Sequence, residues 1–178
     1  MTDESIPLVQ VYAGWEGYQQ SLVKAIAPLT KDQLAWRPAP NLRSVGELAS
    51  HISVGRIDWF NRMQAPGSAE LVRQASAAGS ESAMAQNAGE LVRWLEASWG
   101  MVETTLAQWT VADLAKTYRL GFQGQLFAVS RQWTIWRILS HDIHHGGQLA
   151  IMLGIQGIAI PELGDQGGHL AMPPLAEL

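Results

Sequence analysis

Apolar residues recur at three- and four-residue steps along four long segments of the chain, which is the period of an amphipathic α-helix. These segments span roughly residues 6–27, 44–65, 81–109 and 130–153. In the first segment the apolar stripe consists of Leu8, Val11, Tyr12, Trp15, Tyr18, Leu22, Val23 and Ile26. Strand signals are almost absent. The pattern therefore predicts an all-α fold, namely a four-helix bundle.

Local signals mark the ends of the second helix. Ser44 is a good N-cap, and Glu47 three residues later completes a capping box. The helix should end before Pro66-Gly67. Residues 66–80 are predicted to form a long loop with some helical content. The second and third helices are therefore expected to be joined by a long crossover connection rather than by a tight turn.

Two other stretches are less regular. Residues 118–129 form either a short hairpin that turns at Gln123-Gly124 or an irregular link. The tail from about residue 155 is rich in glycine and proline and is predicted to be irregular. The chain has 178 residues, a length that suits one hydrophobic core, so residues 1–178 are expected to form a single domain.

Composition excludes several classes of function. The net charge is -4 and there is no basic stripe, so a nucleic-acid partner is not expected. The absence of cysteine excludes disulfides, cysteine-ligated zinc and a cysteine nucleophile. The acidic start "MTDESIPLVQ" does not have the pattern of a signal peptide, and no apolar run is long enough to span a membrane. A cytoplasmic protein without membrane partners is expected.

The stretch "LSHDIHHGGQLA", residues 139–150, concentrates three of the five histidines. On a helix, His141 and His145 lie one turn apart and point the same way, so they can hold one metal ion. His144 is rotated away from this pair. A catalytic divalent ion usually has three protein ligands. The candidates for the third are His51 and His169, and His51 is favoured because a facing helix holds a ligand more rigidly than a tail does. The alternative is that these histidines are ordinary core or surface residues.

The residues around the histidines suggest supporting roles. Asp142 points away from the metal pair and is predicted to form a salt bridge with Arg137 or Arg131, or to support a ligand. Glu47 lies one turn before His51 and could orient it, although its capping role explains it equally well.

Further along the same helix, Gln148 is placed to fix an imidazole or to bridge to a facing helix. Gly146 and Gly147 each lower helix propensity by about 1 kcal/mol relative to alanine, which suggests the close approach of another helix. Trp133 and Trp136 precede the histidines by about two turns and one turn and are candidates for a pocket wall.

Two segments together resemble the DinB-like family, which includes YfiT-type metal-dependent hydrolases and thiol-dependent transferases. The segments are "LAWRPAPNLRSVGELASHI" (34–52) and "ILSHDIHHGGQLAIMLGIQG" (138–157), the second with the form H-x-x-x-H-x-G-Q. Matched residue by residue, the resemblance implies metal ligands at His51, His141 and His145. Two features depart from the family pattern: His144, and the tail after Gly157, which leaves His169 as a candidate extra ligand.

The resemblance also implies a biochemical role. It points to a bound divalent ion, zinc or nickel, and to a homodimer. The expected activity is that of a metal-dependent hydrolase or S-transferase acting on a small-molecule substrate. Because the chain has no cysteine, thiol chemistry would need a low-molecular-weight thiol such as bacillithiol, mycothiol or glutathione. The alternative is a non-catalytic metal-binding stress-response or interaction protein. The family name does not imply DNA binding.

Overall fold

The computed structural model describes residues 5–164 and is predominantly helical, as predicted. The four long helices are α2 (Trp15–Ile26), α4 (Val45–Arg62), α7 (Ala88–Gln108) and α8 (Arg131–Ile155). The shorter helices are α1 (Leu8–Val11), α3 (Lys31–Ala35), α5 (Ser68–Ala78), α6 (Glu81–Met84) and α9 (Pro161–Gly164). A 3₁₀ turn, Val111–Ala115, follows α7. In this part of the chain no helix is long and apolar enough to cross a membrane.

The hydrophobic core lies between the four long helices, with α4 in contact with both α7 and α8. Each helix contributes fully buried side chains along the stripe that its periodicity predicts, for example Leu22, Ile52, Leu95 and Ile138. Burying an aliphatic side chain of this size stabilises the folded state by about 1.5–3 kcal/mol. The bundle architecture predicted from the sequence is confirmed.

The first predicted helix, residues 6–27, is divided in the structure. Gly14 adopts a left-handed conformation with φ of 100° between α1 and α2. Residues with a side chain rarely adopt this conformation, so glycine permits the break between the two helices here. On the N-terminal side, Pro7 forms an isolated bridge with Thr110, which ties the start of the chain to the end of α7.

The second helix begins as predicted, because the Ser44 hydroxyl accepts from the backbone of Glu47 and the Glu47 carboxylate accepts from the backbone of Ser44. The third helix begins later than predicted. It starts at Ala88, where Asn87 caps it through the backbone N–H of Glu90. The segment before it forms the short helix α6 and a turn.

The crossover contains more regular structure than a loop, because α5 occupies Ser68–Ala78.

The hairpin is present: β1 (Thr117–Phe122) pairs antiparallel with β2 (Gln125–Ser130). Its two-residue turn, Gln123-Gly124, has positive φ at both positions, as the preferred hairpin turn requires. The tail is not wholly irregular, since α9 follows α8 within it.

Candidate metal centre

The structure brings together the three histidines singled out from the sequence. His51 comes from α4, and His141 and His145 come from consecutive turns of α8. One ring nitrogen from each lies within 4.8 Å of the others, and all three side chains are partly buried. The ring centroids of His51 lie 5.0 Å from those of His141 and His145, which are 4.4 Å from each other. This group of three imidazoles, the histidine triad, is compatible with metal binding.

Glycine allows α4 and α8 to come close at the triad. A Cβ atom at Gly55, one turn beyond His51, would lie 2.8 Å from Cε1 of His141. Behind the triad, a Cβ atom at Gly146 would collide with the Tyr18 hydroxyl, which donates to the backbone carbonyl of Ile143 at 3.1 Å. Close approach is thus the reason for Gly146, as expected. It is not the reason for Gly147, where an added Cβ would meet no atom within 4 Å.

Gln148 links two of the α8 histidines. Its Oε1 lies 2.7 Å from Nδ1 of His145, and its Nε2 lies 3.1 Å from Nε2 of His144. A carbonyl oxygen only accepts, so Nδ1 of His145 carries the proton, and Nε2 of His145 is left with a lone pair. The expected role of Gln148 in fixing an imidazole is therefore observed, and the tautomer it selects is suited to metal binding.

Burial lowers the pKa of His145 to about 4; the neighbouring imidazoles act in the same direction and the Gln148 hydrogen bond opposes them. The ring is therefore neutral at pH 7, as a metal ligand must be. Nearby, burial raises the pKa of Tyr18 to about 12, with a further contribution from the Asp142 carboxylate. This hydroxyl therefore stays protonated and donates to the backbone carbonyl of Ile143.

A fully buried ion pair lies directly beneath the triad. Arg56 Nε donates to Asp142 Oδ2 at 2.9 Å, and Nη2 lies 2.8 Å from the same oxygen. The Trp15 indole also donates to Oδ2 at 2.9 Å, and Arg56 Nη1 donates to Gln19 Oε1 at 2.6 Å. The other carboxylate oxygen lies 3.8 Å from Nδ1 of His141. This position behind a triad member is compatible with the supporting role suggested for Asp142.

The predicted partners of Asp142 were wrong. Neither Arg137 nor Arg131 pairs with it, because Asp142 faces the core of the bundle whereas Arg137 is exposed and Arg131 pairs with Asp113. The sequence contained a signal for the true partner: Arg56 occupies a position on the apolar stripe of α4, where only a buried counter-charge makes a guanidinium tolerable.

The remaining candidates have distinct positions. The Glu47 carboxylate is bound by Ser44, Ser82 and Arg37, so its capping role accounts for it. His144 is exposed and lies outside the triad, with its ring centroid 4.9 Å from that of His145. His169 lies outside the described residues.

Comparison with known proteins gives a consistent assignment. A sequence model of the DinB superfamily matches residues 15–149. The fold resembles the crystal structure of a DinB-like protein from Bacillus cereus ATCC 10987, with a TM-score of 0.66 and 18% identity over 86% of this chain and 93% of that chain. At this identity the likeness shows the fold alone. No curated protein matches the chain significantly.

Proposed function

The chain belongs to the DinB superfamily, and we propose that it is a metal-dependent enzyme whose divalent ion, zinc or nickel, is bound by His51, His141 and His145. The observation that carries this proposal is the histidine triad itself, with three ring nitrogens from two helices within 4.8 Å of one another. Imidazole is a ligand that suits both ions.

The described side chains fit such an ion. His145 is neutral and has its Nε2 lone pair available. Gln148 orients its ring, and Gly55 keeps the space beside His141 open. Three neutral imidazoles would leave the ion its full charge, and a bound ion would supply Lewis-acid activation of water or of an external thiol.

The nucleophile in this proposal comes from outside the chain. The sequence contains no cysteine, and the candidate ligand group consists of imidazoles alone. Attack by water would make the protein a hydrolase. Attack by a low-molecular-weight thiol, such as glutathione, bacillithiol or mycothiol, would make it an S-transferase.

Metal analysis tests the site. Untagged protein should bind one zinc or nickel ion per chain, measured by mass spectrometry of the metal after dialysis. His51→Ala should lose that ion, whereas His144→Ala should retain it because His144 lies outside the triad. Equal metal content in wild type and His51→Ala would refute the proposed site.

An activity screen tests the reaction. Metal-loaded protein is assayed with each of the three thiols and 1-chloro-2,4-dinitrobenzene, and separately for hydrolysis of 4-nitrophenyl acetate. Turnover should appear in one of these assays and be absent from His51→Ala. Stoichiometric metal binding without turnover in either assay would support the alternative of a non-catalytic metal-binding protein.

We also propose a homodimer. The outer face of α8 supports this, because it exposes the large apolar side chains Trp136, Ile143, Ile151 and Ile155, each more than half accessible. Light scattering should give a mass of two chains, and Ile143→Glu should reduce it to one. A wild-type protein that stays monomeric at high concentration would contradict the proposal.

A further inference from the structure

A cavity of about 540 Å³ lies between the hairpin, the C-terminal half of α4 and the first turns of α8. This volume is within the range of about 300–1,000 Å³ that is typical of small-molecule sites. Its main lining residues are Trp59, Leu120, Phe122, Phe127, Trp133 and Arg137. None of the triad histidines lines it, so it is a separate feature of the fold.

The wall of the cavity is strongly aromatic. The rings of Trp59 and Trp133 lie 5.7 Å apart at an angle of 56°. On the hairpin, Leu120 is the cross-strand partner of Phe127, so both side chains lie on the same face of the sheet. Phe122, Phe127 and Trp133 are between 42% and 61% exposed. Large apolar side chains gathered around a cavity, rather than scattered over the surface, are the usual mark of a binding site.

One cation lies at the edge of this wall. The guanidinium carbon of Arg137 lies 4.5 Å from the ring centroid of Trp59 and 5.5 Å from that of Trp133. Within residues 5–164 no carboxylate forms a salt bridge with Arg137, whereas Arg62, which also covers Trp59, is held by Asp58. An arginine held by two indoles and without an acidic partner is suited to a planar carboxylate.

Helix α8 connects the cavity wall to the histidine triad. Along α8, Trp133, Arg137, His141 and His145 follow at four-residue steps, which places them along one side of the helix. Arg137 is therefore one helical turn, about 5.4 Å of rise, before His141. A ligand whose carboxylate pairs with Arg137 would have its apolar body in the cavity and its charged end on the lining residue that is nearest to His141 along α8.

We infer that this cavity binds a small aromatic carboxylate, with the aromatic body between the two indoles and the hairpin and the carboxylate on Arg137. That this ligand is the substrate rests on the proposed function, while the binding itself does not. Arg137 is the lining residue one turn from the triad, so the carboxylate is the part of the substrate nearest to the metal site. The electrophilic atom of such a substrate therefore lies close to its carboxylate.

Calorimetric titration of the full chain with 2-naphthoate tests the inference, with 2-naphthalenemethanol as the uncharged analogue. Wild-type protein should bind one naphthoate per chain. Arg137→Gln should weaken naphthoate binding about tenfold, as the loss of a charge-assisted hydrogen bond predicts, and should change the affinity for the alcohol less than twofold. The matched control is Arg119→Gln, an exposed arginine of β1 outside the cavity, which should bind both probes as wild type does.

The aromatic wall has its own matched pair. Trp133→Leu should weaken both probes, whereas Leu126→Ala, which alters an exposed apolar residue of β2 outside the lining and outside the α8 face proposed for the dimer, should weaken neither. Circular dichroism and thermal unfolding check that each variant is folded. No saturable naphthoate binding, or equal binding by Arg137→Gln and Arg119→Gln, would overturn the inference. So would loss of self-association in Trp133→Leu, because a second copy of the chain would then occupy the cavity.

The two proposals fail separately. Naphthoate should still bind to His51→Ala, since His51 does not line the cavity. Naphthoate binding in a protein that binds no metal would leave the cavity as a ligand site and refute the metal enzyme. Metal binding without naphthoate binding would refute the cavity proposal alone.

Discussion

Replacing Arg56 with methionine should lower the free energy of unfolding by much more than the loss of one exposed charge would. Arg56 and Asp142 are both completely buried, and two guanidinium nitrogens lie within 2.9 Å of one carboxylate oxygen. Without the guanidinium, Oδ2 of Asp142 would keep the hydrogen bond from the Trp15 indole at 2.9 Å, and Oε1 of Gln19 would lose the donor that Arg56 supplies.

The expected magnitude follows from the cost of an unpaired buried charge. Removing one partner of a buried ion pair destabilises a protein by about 3–5 kcal/mol. A total stability of about 5–15 kcal/mol is typical, so this loss is a large fraction of it. With about 2–4 °C per kcal/mol for a chain of this size, Tm should fall by about 6–20 °C.

The double variant Arg56→Met with Asp142→Leu should recover most of this loss, because it leaves no buried charge. A double-mutant cycle by urea unfolding of the metal-free protein, followed by circular dichroism, measures the coupling between the two residues. The matched control is Arg62→Met, which breaks the exposed pair with Asp58 and should cost less than about 1 kcal/mol. A cost below about 1 kcal/mol for Arg56→Met, or additive effects in the double variant, would refute the reasoning.

Three further outcomes are expected. The pKa of His145 is about 4 in the folded protein against an ordinary value of 6.5, so the unfolded chain binds more protons between pH 4 and 6.5. The free energy of unfolding of the metal-free protein should therefore fall as pH is lowered through this range. Urea titrations at several pH values should show a weaker pH dependence for His145→Gln, and an unchanged dependence would contradict the assignment to His145. Gly146→Ala should destabilise the protein by about 1–3 kcal/mol in thermal unfolding, because the added Cβ collides with the Tyr18 hydroxyl, whereas Gly147→Ala, with open space around its Cβ, should stabilise it by up to about 1 kcal/mol. The reverse order would contradict the close contact between Tyr18 and Gly146. Gln148→Leu should weaken metal binding by about 10–100-fold, measured in competition with a chelator, because Gln148 orients the His145 imidazole. The control Gln132→Leu, on the exposed side of the same helix, should bind the metal as wild type does, and equal metal affinities of the two variants would exclude that role for Gln148.

Local patterns predicted most of the helices, because their causes lie within a few residues of one another. The capping box of Ser44 and Glu47 is made by residues three apart, and the structure contains both of its hydrogen bonds. The turn at Gln123-Gly124 likewise depends on the conformations that those two residues tolerate. The break at Gly14 was missed because the apolar period continues across it.

The pairing of charges could not be predicted in the same way. Asp142 has charged neighbours on its own helix, and spacing alone favoured Arg137 or Arg131. Its partner Arg56 is 86 positions away in sequence and lies on a different helix. The pairing depends on which side of each helix is buried, and that depends on how α4 and α8 pack against each other.

The sequence by itself determined the helical class of this protein and the His141–His145 pair of its candidate site, because helical period and four-residue histidine spacing are properties of a short stretch of chain. The third member, His51, was predicted from its place on another helix and from the family resemblance. Only the tertiary structure decided what surrounds those residues. The ion pair beneath the triad, the packing of Tyr18 against Gly146 and the aromatic cavity beside Arg137 all join segments that are distant in sequence. Such contacts depend on the relative positions of packed helices, which no local pattern specifies.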